Sequence, residues 1–393
     1  MNPYRKSPLK PDALTPERRS ALHRSAVGAA GLACLACLAL SALPALAHGP
    51  NQPPHQQYRL GELPLESGEV IKNFTISYVT HGTLNAQKSN AVLMVTAIGG
   101  NHHRLDFLIG PGKALDPTKY FIVATDAIGN GLTTSPSNSQ EQPRMKFPRF
   151  LIRDMVTSQH RLLTEHLGIA HVVAVVGPSM GGMQVLQWGV SHPDFMDSLV
   201  AMVPLARTPP WSVVVMEASR KAIMLDPAWN GGNYSTPPAN GIRLWRDILG
   251  FLAARTPEMY RYQFPRALDV LPWLKKQEDA QIQIFDANDW IYQTWAYDAH
   301  DVGTTPGMNG DYVQALRAIK AKTLILTGQK DLLNPEWEPL EASRYIRDVR
   351  YVTISPQTIT GHASAGGFFP ADVDFLNFEI AAFLDVVSAA RLR

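Results

Sequence analysis

One segment constrains the fold of this chain more than any other. Residues 171–176 form a nearly continuous apolar run, which is typical of a strand buried on both faces of a parallel sheet. Gly177-Pro178-Ser179-Met180-Gly181 follows at once, and the apolar residues then keep helical spacing over residues 180–191. The segment therefore predicts a buried strand, a tight turn that carries Ser179, and a helix.

The rest of the chain repeats this alternation of strands and helices. Asp154 is the predicted N-cap of a helix that Gly168 terminates. Further strands are predicted at residues 70–80, 91–95, 120–125, 198–203, 322–327 and 350–354, and further helices at 335–346 and 372–387. The alternation predicts an α/β fold with a mostly parallel, doubly wound sheet.

Residues 206–315 break this rhythm. They contain six of the eight tryptophans, many Pro and Gly residues, and helix-like stretches without strong strands between them. We interpret them as a helical cap inserted into a core made of residues 58–205 and 316–393. The tryptophans are expected either to line a pocket or to pack between the cap helices.

Residues 1–47 have the pattern of a signal peptide. The pair Arg18-Arg19 precedes an apolar run at 26–43, and Ala45-Leu46-Ala47 offers small residues for cleavage. An uncleaved membrane anchor is the alternative. Either interpretation puts the folded part outside the cytoplasm, periplasmic or secreted, behind a linker at residues 48–57. The Sec and twin-arginine routes both stay open.

Composition excludes several classes of function. Both cysteines, Cys34 and Cys37, lie in the leader, so the mature chain would have no disulfide, iron–sulfur cluster or thiolate nucleophile. The 36 Lys and Arg residues nearly balance the 34 Asp and Glu residues, which argues against nucleic acid as a partner. No apolar stretch beyond the leader is long enough to cross a membrane. The expected partner is therefore a small molecule.

The residues around Ser179 match the G-x-S-x-G nucleophile elbow, in which serine occupies a sharp strand-to-helix turn. Gly177, Gly181 and Gly182 supply the small residues that such a turn requires. A serine hydroxyl is a weak nucleophile until a base takes its proton, so the motif predicts a histidine base and a carboxylate that orients it. A serine in an ordinary β-to-α turn is the alternative.

Asp331 and His362 are the predicted partners of Ser179, in the chain order serine, acid, histidine that this elbow requires. Asp331 lies four residues beyond the predicted strand 323–327, and His362 is the only histidine after it. A solvated loop carboxylate or a helix cap is the alternative for Asp331. A surface histidine is the alternative for His362.

The oxyanion of a tetrahedral intermediate needs two backbone N–H donors. Met180, directly after the nucleophile, is the first predicted donor. Ile98, in the loop after an early strand, is the preferred second donor, ahead of Ala97. A plain turn at Gly99-Gly100 is the alternative for that loop.

Metal and cofactor chemistry is not expected. The pair His102-His103, with Asp106 nearby, could suggest a metal site. Adjacent histidines in a strand or loop point apart, however, and no further ligand follows at a suitable spacing. The carboxylates of the cap are expected to cap or pair helices rather than to form an acid–base dyad. They are Asp286, Asp289, Asp298 and Asp301.

Longer segments resemble the homoserine O-acetyltransferase branch of the α/β-hydrolases, from about Gly68 to the C-terminus. They are Leu108-Ile109-Gly110-Pro111-Gly112-Lys113-Ala114-Leu115-Asp116, Gly177-Pro178-Ser179-Met180-Gly181-Gly182-Met183-Gln184, Asp226-Pro227-Ala228-Trp229-Asn230-Gly231-Gly232 and Phe285-Asp286-Ala287-Asn288. The resemblance implies an α/β-hydrolase fold and acyl transfer through an acyl-serine, and it leaves a homodimer open. It also matches Arg246 to the arginine that grips the substrate carboxylate.

Two positions depart from the family's pattern. The family's Gly-His-Asp, whose Asp contacts the substrate amino group, is Gly361-His362-Ala363 here, and the family's companion tyrosine falls on Ala253. An ammonium without its carboxylate would lose on the order of 2–5 kcal/mol. An exported enzyme would also meet little acetyl-CoA.

We therefore expect an exported carboxylic-ester hydrolase that acts through an acyl-serine. A homoserine O-acetyltransferase, or a related O-acyltransferase that uses acyl-CoA, is the first alternative. A non-catalytic binding protein on the same fold is the second.

Overall fold

The structure is a computed structural model that describes residues 52–282, 284, 286–354 and 359–391. The predicted signal peptide, residues 1–47, and the start of the predicted linker lie outside this range. The last two linker residues belong to the first strand, which begins at Gln56. Among the helices in this range, none combines the length and the apolar character that crossing a bilayer requires.

A central sheet of eight strands organises the described part of the chain. The strands are β1 Gln56–Pro64, β2 Val70–His81, β3 Ala91–Met94, β4 Phe121–Thr125, β5 Val172–Pro178, β6 Met196–Met202, β7 Lys322–Gly328 and β8 Val349–Ile354. They lie side by side in the order β1-β2-β4-β3-β5-β6-β7-β8. The pairs β1–β2 and β2–β4 are antiparallel, and the other neighbours are parallel. The predicted α/β fold with a mostly parallel sheet is confirmed.

The order of the strands reverses at β3. The chain leaves β3 for β4 on one side, whereas β5 lies on the other side of β3. Loops that leave the carboxyl ends of β3 and β5 therefore diverge, and the crevice between such loops is where open α/β sheets bind ligands. Ser179 directly follows β5, and residues 96–100 follow β3.

Ten α-helices are present in the described residues. They are α1 Ile152–Arg161, α2 Met180–Ser191, α3 Pro210–Met224, α4 Ala239–Trp245, α5 Pro257–Gln263, α6 Val270–Ile282, α7 Ala287–Asp298, α8 Tyr312–Ala318, α9 Trp337–Ser343 and α10 Pro370–Arg391. Two apolar clusters cover the two faces of the sheet, one with α1 and α2 and the other with α10. Leu93 of β3 belongs to the first cluster and its neighbour Val92 to the second, because successive strand residues point to opposite faces.

Helix α1 begins earlier than predicted. Its first residue is Ile152, so Asp154 lies inside the first turn and is not the N-cap. The Asp154 carboxylate instead reaches back and accepts hydrogen bonds from the backbone N–H groups of Leu151, at 2.7 Å, and Glu66, at 3.0 Å. The sequence identified the right capping group but assigned it to the wrong position of the turn.

The insertion between β6 and β7 closes at a short neck. Arg207 and Asp301 form an antiparallel bridge, and the N–H of Val302 donates to the carbonyl of Ala206 at 2.9 Å. Helices α3 to α7 lie between the two sides of this neck. The predicted insertion, 206–315, starts at the neck but extends past it, because the turn after Asp301 and helix α8 pack on α2 of the core.

Candidate active site

Ser179 lies at a strained turn between β5 and α2. Its backbone has φ 57° and ψ −120°, a conformation that L-residues rarely adopt, and its N–H donates to the carbonyl of Met202 at 2.8 Å. A Cβ on Gly177 would come within 2.6 Å of the Val95 side chain, and a Cβ on Gly181 within 2.8 Å of the Val95 carbonyl oxygen. The two glycines are therefore required, because the turn packs directly on the end of β3.

The structure brings Ser179, His362 and Asp331 into hydrogen-bonding contact. The His362 Nε2 atom lies 2.8 Å from the Ser179 Oγ, and the His362 Nδ1 atom lies 2.7 Å from the Asp331 Oδ2. An ionised carboxylate can only accept, so it places the imidazole proton on Nδ1 and leaves Nε2 free to accept from the serine hydroxyl. This is the arrangement that converts a serine into a nucleophile.

Asp331 is buried and uses both carboxylate oxygens. While Oδ2 faces His362, Oδ1 accepts from the backbone N–H groups of Leu333 and Asn334, each at 2.8 Å. These two bonds build a local turn after β7 and fix the direction of the carboxylate. Asp331 thus has the turn-forming role considered as its alternative and, at the same time, contacts His362.

His362 lies in a 3₁₀ helix, Gly361–Gly366, that is tied to both the core and the insertion. A Cβ on Gly328, at the end of β7, would lie 2.1 Å from the Gly361 carbonyl oxygen, so these backbones touch. The N–H of Ala363 donates to the Ala254 carbonyl at 2.9 Å, and the Thr256 hydroxyl donates to the carbonyl of Ile359. The insertion therefore helps to position the histidine.

The loop after β3 carries Ile98, the residue predicted to be the second oxyanion donor. Residues 97–100 form a turn closed by a hydrogen bond from the Gly100 N–H to the Ala97 carbonyl, and they line the same cavity as Ser179. Among hydrogen bonds between described residues, none has the N–H of Ile98 as donor. Met180 is the first residue of α2, where helical N–H groups have no partner within the helix. Of the two predicted donors, Ile98 lines the cavity and Met180 directly follows Ser179.

Two buried glutamines hold this loop, and sequence reasoning missed both. The Gln293 Oε1 accepts from the Gly99 N–H at 2.7 Å, while its Nε2 donates to the Ile128 carbonyl at 3.0 Å. The Gln184 Nε2 donates to the Thr96 carbonyl at 3.1 Å. Gln184 lies one helical turn after Met180, so its position near the elbow could have been predicted from the sequence. Gln293 reaches the loop from α7 of the insertion, and no local pattern predicts that contact.

A cavity of about 590 Å³ opens above Ser179 and His362. The core contributes residues 97–101 after β3, called the oxyanion loop below for the role predicted for Ile98, and the insertion contributes the opposite wall. Residues of the insertion that line it include Trp245, Arg246, Leu249, Arg255 and Trp290. The rings of Trp245 and Trp290 also contact each other, with centroids 4.6 Å apart, so these tryptophans both line the pocket and pack together.

Arg246, the predicted substrate-binding residue, lies in this cavity beside Arg255. Burial, together with the neighbouring Arg255, lowers the pKa of Arg246 to about 10. Burial also lowers the pKa of Arg255. The Arg246 Nε and the Arg255 Nη1 are buried and have no hydrogen-bond partner among the described residues. Two such guanidinium groups would gain from an anionic group in the cavity.

The four carboxylates of the insertion all have structural partners, and Asp286, Asp298 and Asp301 cap or pair helices as predicted. Asp286 caps α7 by accepting from the N–H groups of Asn288 and Asp289. Asp298 pairs with Arg220 at 2.6 Å, and Asp301 accepts from the Gly303 N–H at 2.7 Å. Asp289 binds the backbone and the hydroxyl of Ser137.

Comparisons with known proteins show the family to which this fold belongs. The family described as alpha/beta hydrolase fold matches residues 90–357. A homoserine O-acetyltransferase of Methanosalsum zhilinae (strain DSM 4017 / NBRC 107636 / OCM 62 / WeN5) is 35% identical over 84% of this chain and 72% of its own length. An acetylester hydrolase from Corynebacterium glutamicum has a TM-score of 0.80 and 30% identity, covering 84% of this chain and 96% of its own. A homoserine O-acetyltransferase from Bacillus anthracis has a TM-score of 0.75 and 27% identity, covering 84% and 97%.

Proposed function

This chain belongs to the α/β-hydrolase family and is homoserine O-acetyltransferase-like within it, and from that premise we propose that it transfers a short acyl group through an ester of Ser179. The observation that carries the proposal is the line of two hydrogen bonds, 2.8 Å and 2.7 Å long, from Ser179 through His362 to Asp331. The cavity above this line has room for a small acyl donor.

The reaction follows from the positions of the three side chains. His362 Nε2 takes the hydroxyl proton of Ser179 as Oγ attacks the acyl carbonyl. The N–H groups of Met180 and Ile98 are proposed to bind the oxyanion, where each donor contributes roughly 10²- to 10³-fold in kcat. The imidazolium then protonates the leaving group, which departs and leaves the acyl-serine. In the second half, His362 deprotonates the acceptor as the acceptor attacks the same carbonyl. The acyl–Oγ bond then breaks, and the His362 imidazolium returns the proton to the Ser179 Oγ.

A covalent probe tests the acyl-serine step directly. A fluorophosphonate should label the purified protein, and Ser179→Ala should abolish the labelling. Ser191→Ala, at the far end of α2, is the matched control and should be labelled like the unaltered chain. Equal labelling of the Ser179→Ala protein would contradict the proposal, and no labelling of any form would favour a binding protein on this fold.

The acyl acceptor is the finer part of the proposal, and the curated relatives favour homoserine. Two of these relatives, 35% and 34% identical to this chain, are homoserine O-acetyltransferases. Arg246 and Arg255 support the same acceptor, because their buried guanidinium groups suit a carboxylate. Homoserine acetylation is therefore a full second candidate function.

The residues next to His362 favour water instead. Ala363 is buried and offers no carboxylate to an amino group bound beside the histidine, so an ammonium there would have a poor partner. The acetylester hydrolase from Corynebacterium glutamicum, with a TM-score of 0.80, shows that a chain of this shape can serve as an ester hydrolase. Hydrolysis of short-chain esters is the function that the site geometry supports best.

Two substrates and one variant separate these acceptors. Residues 48–393 are purified and assayed with an aryl acetate in water and with acetyl-CoA plus homoserine. We expect faster release of the phenol than of CoA, and we expect Ala363→Asp to raise the rate with homoserine relative to the rate with water. Ala363→Asn has the same side-chain shape without the charge and is the matched control. Faster homoserine-dependent CoA release by the unaltered chain would establish the transferase instead.

A further inference from the structure

A second cluster of chemically active side chains lies apart from the Ser179 site. The Nε2 atoms of His55 and His102 are 2.9 Å apart, and ligand atoms of His55, His102 and Asp126 all lie within 4.8 Å of one another. We propose that this cluster binds a divalent transition-metal ion of the nitrogen-preferring kind, such as Zn²⁺, through the two imidazoles. The inference is independent of the proposed function.

His102 is held in the tautomer that a metal ligand needs. Its Nδ1 lies 2.9 Å from the Asp126 Oδ2, and its backbone N–H donates to the Asp126 Oδ1, also at 2.9 Å. Both side chains are fully buried. The carboxylate fixes the imidazole proton on Nδ1, so the Nε2 lone pair points toward His55. A carboxylate behind a ligating histidine is the usual arrangement at protein metal sites.

Asp126 is itself held by two further side chains. The Ser77 hydroxyl donates to the Asp126 Oδ2 at 2.8 Å, and the Asn130 Nδ2 donates to Oδ1 at 3.0 Å. Donors from β2, from the segment after β4 and from His102 thus converge on one buried carboxylate. Such a network fixes the His102 ring in place, so the metal would meet a prearranged ligand.

His55 provides the second nitrogen from the segment before β1. Its ring meets that of His102 nearly at right angles, at 83°, with centroids 4.3 Å apart. Two nitrogens bound to one tetrahedral zinc at about 2.0–2.1 Å would lie roughly 3.3 Å apart, so the rings need to separate by only a few tenths of an ångström. The competing interpretation is a direct N–H···N hydrogen bond between the rings.

The sequence concealed this cluster. No third ligand follows His102 and His103 at a suitable spacing along the chain, yet His55 and Asp126 reach His102 from distant segments. The prediction that the adjacent rings of His102 and His103 point apart is also wrong. Residues His102–Leu108 form a 3₁₀ helix, and the centroids of the His102 and His103 rings lie 4.2 Å apart.

A metal at this position would join the N-terminal segment to a wall of the active site. The 3₁₀ helix that begins at His102 directly follows the oxyanion loop and contributes His103, Arg104 and Phe107 to the cavity. Crosslinking His55 to His102 would restrain that wall. We therefore assign the ion a structural role and leave the acyl-transfer chemistry to Ser179, His362 and Asp331, the catalytic triad.

Zinc titration of the folded chain tests the proposal. The protein is prepared without a polyhistidine tag, treated with a chelator and desalted, and Zn²⁺ is titrated by calorimetry while thermal unfolding is followed in parallel. We expect one ion per chain and a higher Tm with zinc. His55→Ala should weaken binding at least 10-fold, and Asp126→Asn should weaken it roughly 10- to 100-fold.

Two control variants test whether other histidines bind the zinc ion. His171→Ala removes a histidine that also lies 2.9 Å from an aspartate oxygen, that of Asp197, and it should leave zinc affinity unchanged. Binding should persist in His362→Ala, which removes the triad imidazole. His55 is only partly buried, so its variant stays informative if the Asp126 variant does not fold. Absence of saturable binding, or unchanged affinity in His55→Ala, would show that the rings merely hydrogen-bond to each other.

Discussion

Ser179 shows how a single residue is prepared for chemistry by its backbone. Its φ of 57° costs conformational energy, of order 1–3 kcal/mol for such outliers, and the contacts of Gly177 and Gly181 with Val95 maintain it. The strain aims Oγ out of the sheet and toward His362. Function at this position therefore depends on neighbours that never touch a substrate.

The triad residues should differ in how much each contributes to activity. We predict that Ser179→Ala and His362→Ala each lower kcat by roughly 10³-fold or more, because each removes a proton-transfer partner. Asp331→Asn should be somewhat less harmful, since the histidine base remains but loses its fixed tautomer. Steady-state ester hydrolysis measures all three. Full activity of the Asp331→Asn protein would mean that another acid orients His362.

Gln293 is predicted to be a positioning residue for the oxyanion loop. Gln293→Met removes the acceptor of the Gly99 N–H and the donor to the Ile128 carbonyl, and it keeps an unbranched side chain of similar length. We expect kcat to fall by roughly 10-fold with little change in KM, because a misplaced donor weakens binding of the transition state more than of the substrate. A change confined to KM would argue for a role in binding instead.

At the scale of elements, the insertion supports the catalytic loop as well as covering it. Thr256 caps α5, accepting from the Met259 N–H at 3.2 Å, and its hydroxyl donates to the Ile359 carbonyl just before His362. One side chain thus links a cap helix to the loop that carries the base. A motion of the insertion would therefore change the position of His362.

Removing this link should reduce both activity and stability. Thr256→Val deletes the hydroxyl and should cost about 0.5–2 kcal/mol of stability as a lost helix cap. We expect kcat to fall by about an order of magnitude, because the histidine loop loses its tie to the insertion. Thr256→Ser keeps the hydroxyl and should restore most of the rate. Denaturant unfolding and ester kinetics on the same samples separate the two effects.

At the scale of the whole molecule, a buried histidine makes the fold sensitive to acid. His300 lies at the neck of the insertion, where its Nε2 is 3.2 Å from the Leu205 carbonyl oxygen. Burial lowers the pKa of His300 from 6.5 to about 3. Between these two values the unfolded chain binds the proton and the folded chain does not, so acid favours unfolding.

The free energy of unfolding should therefore fall as the pH drops from 6.5 toward 3. The contribution of His300 is about 1.4 kcal/mol per pH unit within that window, and it vanishes above pH 7 because both states are then neutral. Urea unfolding at several pH values measures the slope. His300→Gln, which cannot be protonated, should show a shallower slope than the unaltered chain. Equal slopes would mean that other groups dominate the acid response.

The sequence by itself determined what depends on neighbours along the chain. The elbow at Ser179, the bounds of α2 and the alternation that predicts a parallel sheet all follow from local spacing. Asp331 and His362 could also be chosen, because the elbow fixes the order of its partners and only one histidine follows Asp331. The small residues of a strained turn and the apolar residues of a buried strand can be recognised directly in the sequence.

Only the tertiary structure decided which distant side chains meet. Gln293 reaches the oxyanion loop from α7, Arg255 joins Arg246 in the cavity, and His55 contacts His102 across 47 positions of sequence. A hydrogen bond between remote segments requires a donor and an acceptor at the right distance and angle. The type of a residue alone does not show which distant residue is its hydrogen-bond partner. Local patterning sets the sheet and its turns, whereas contacts between remote segments depend on how those elements pack.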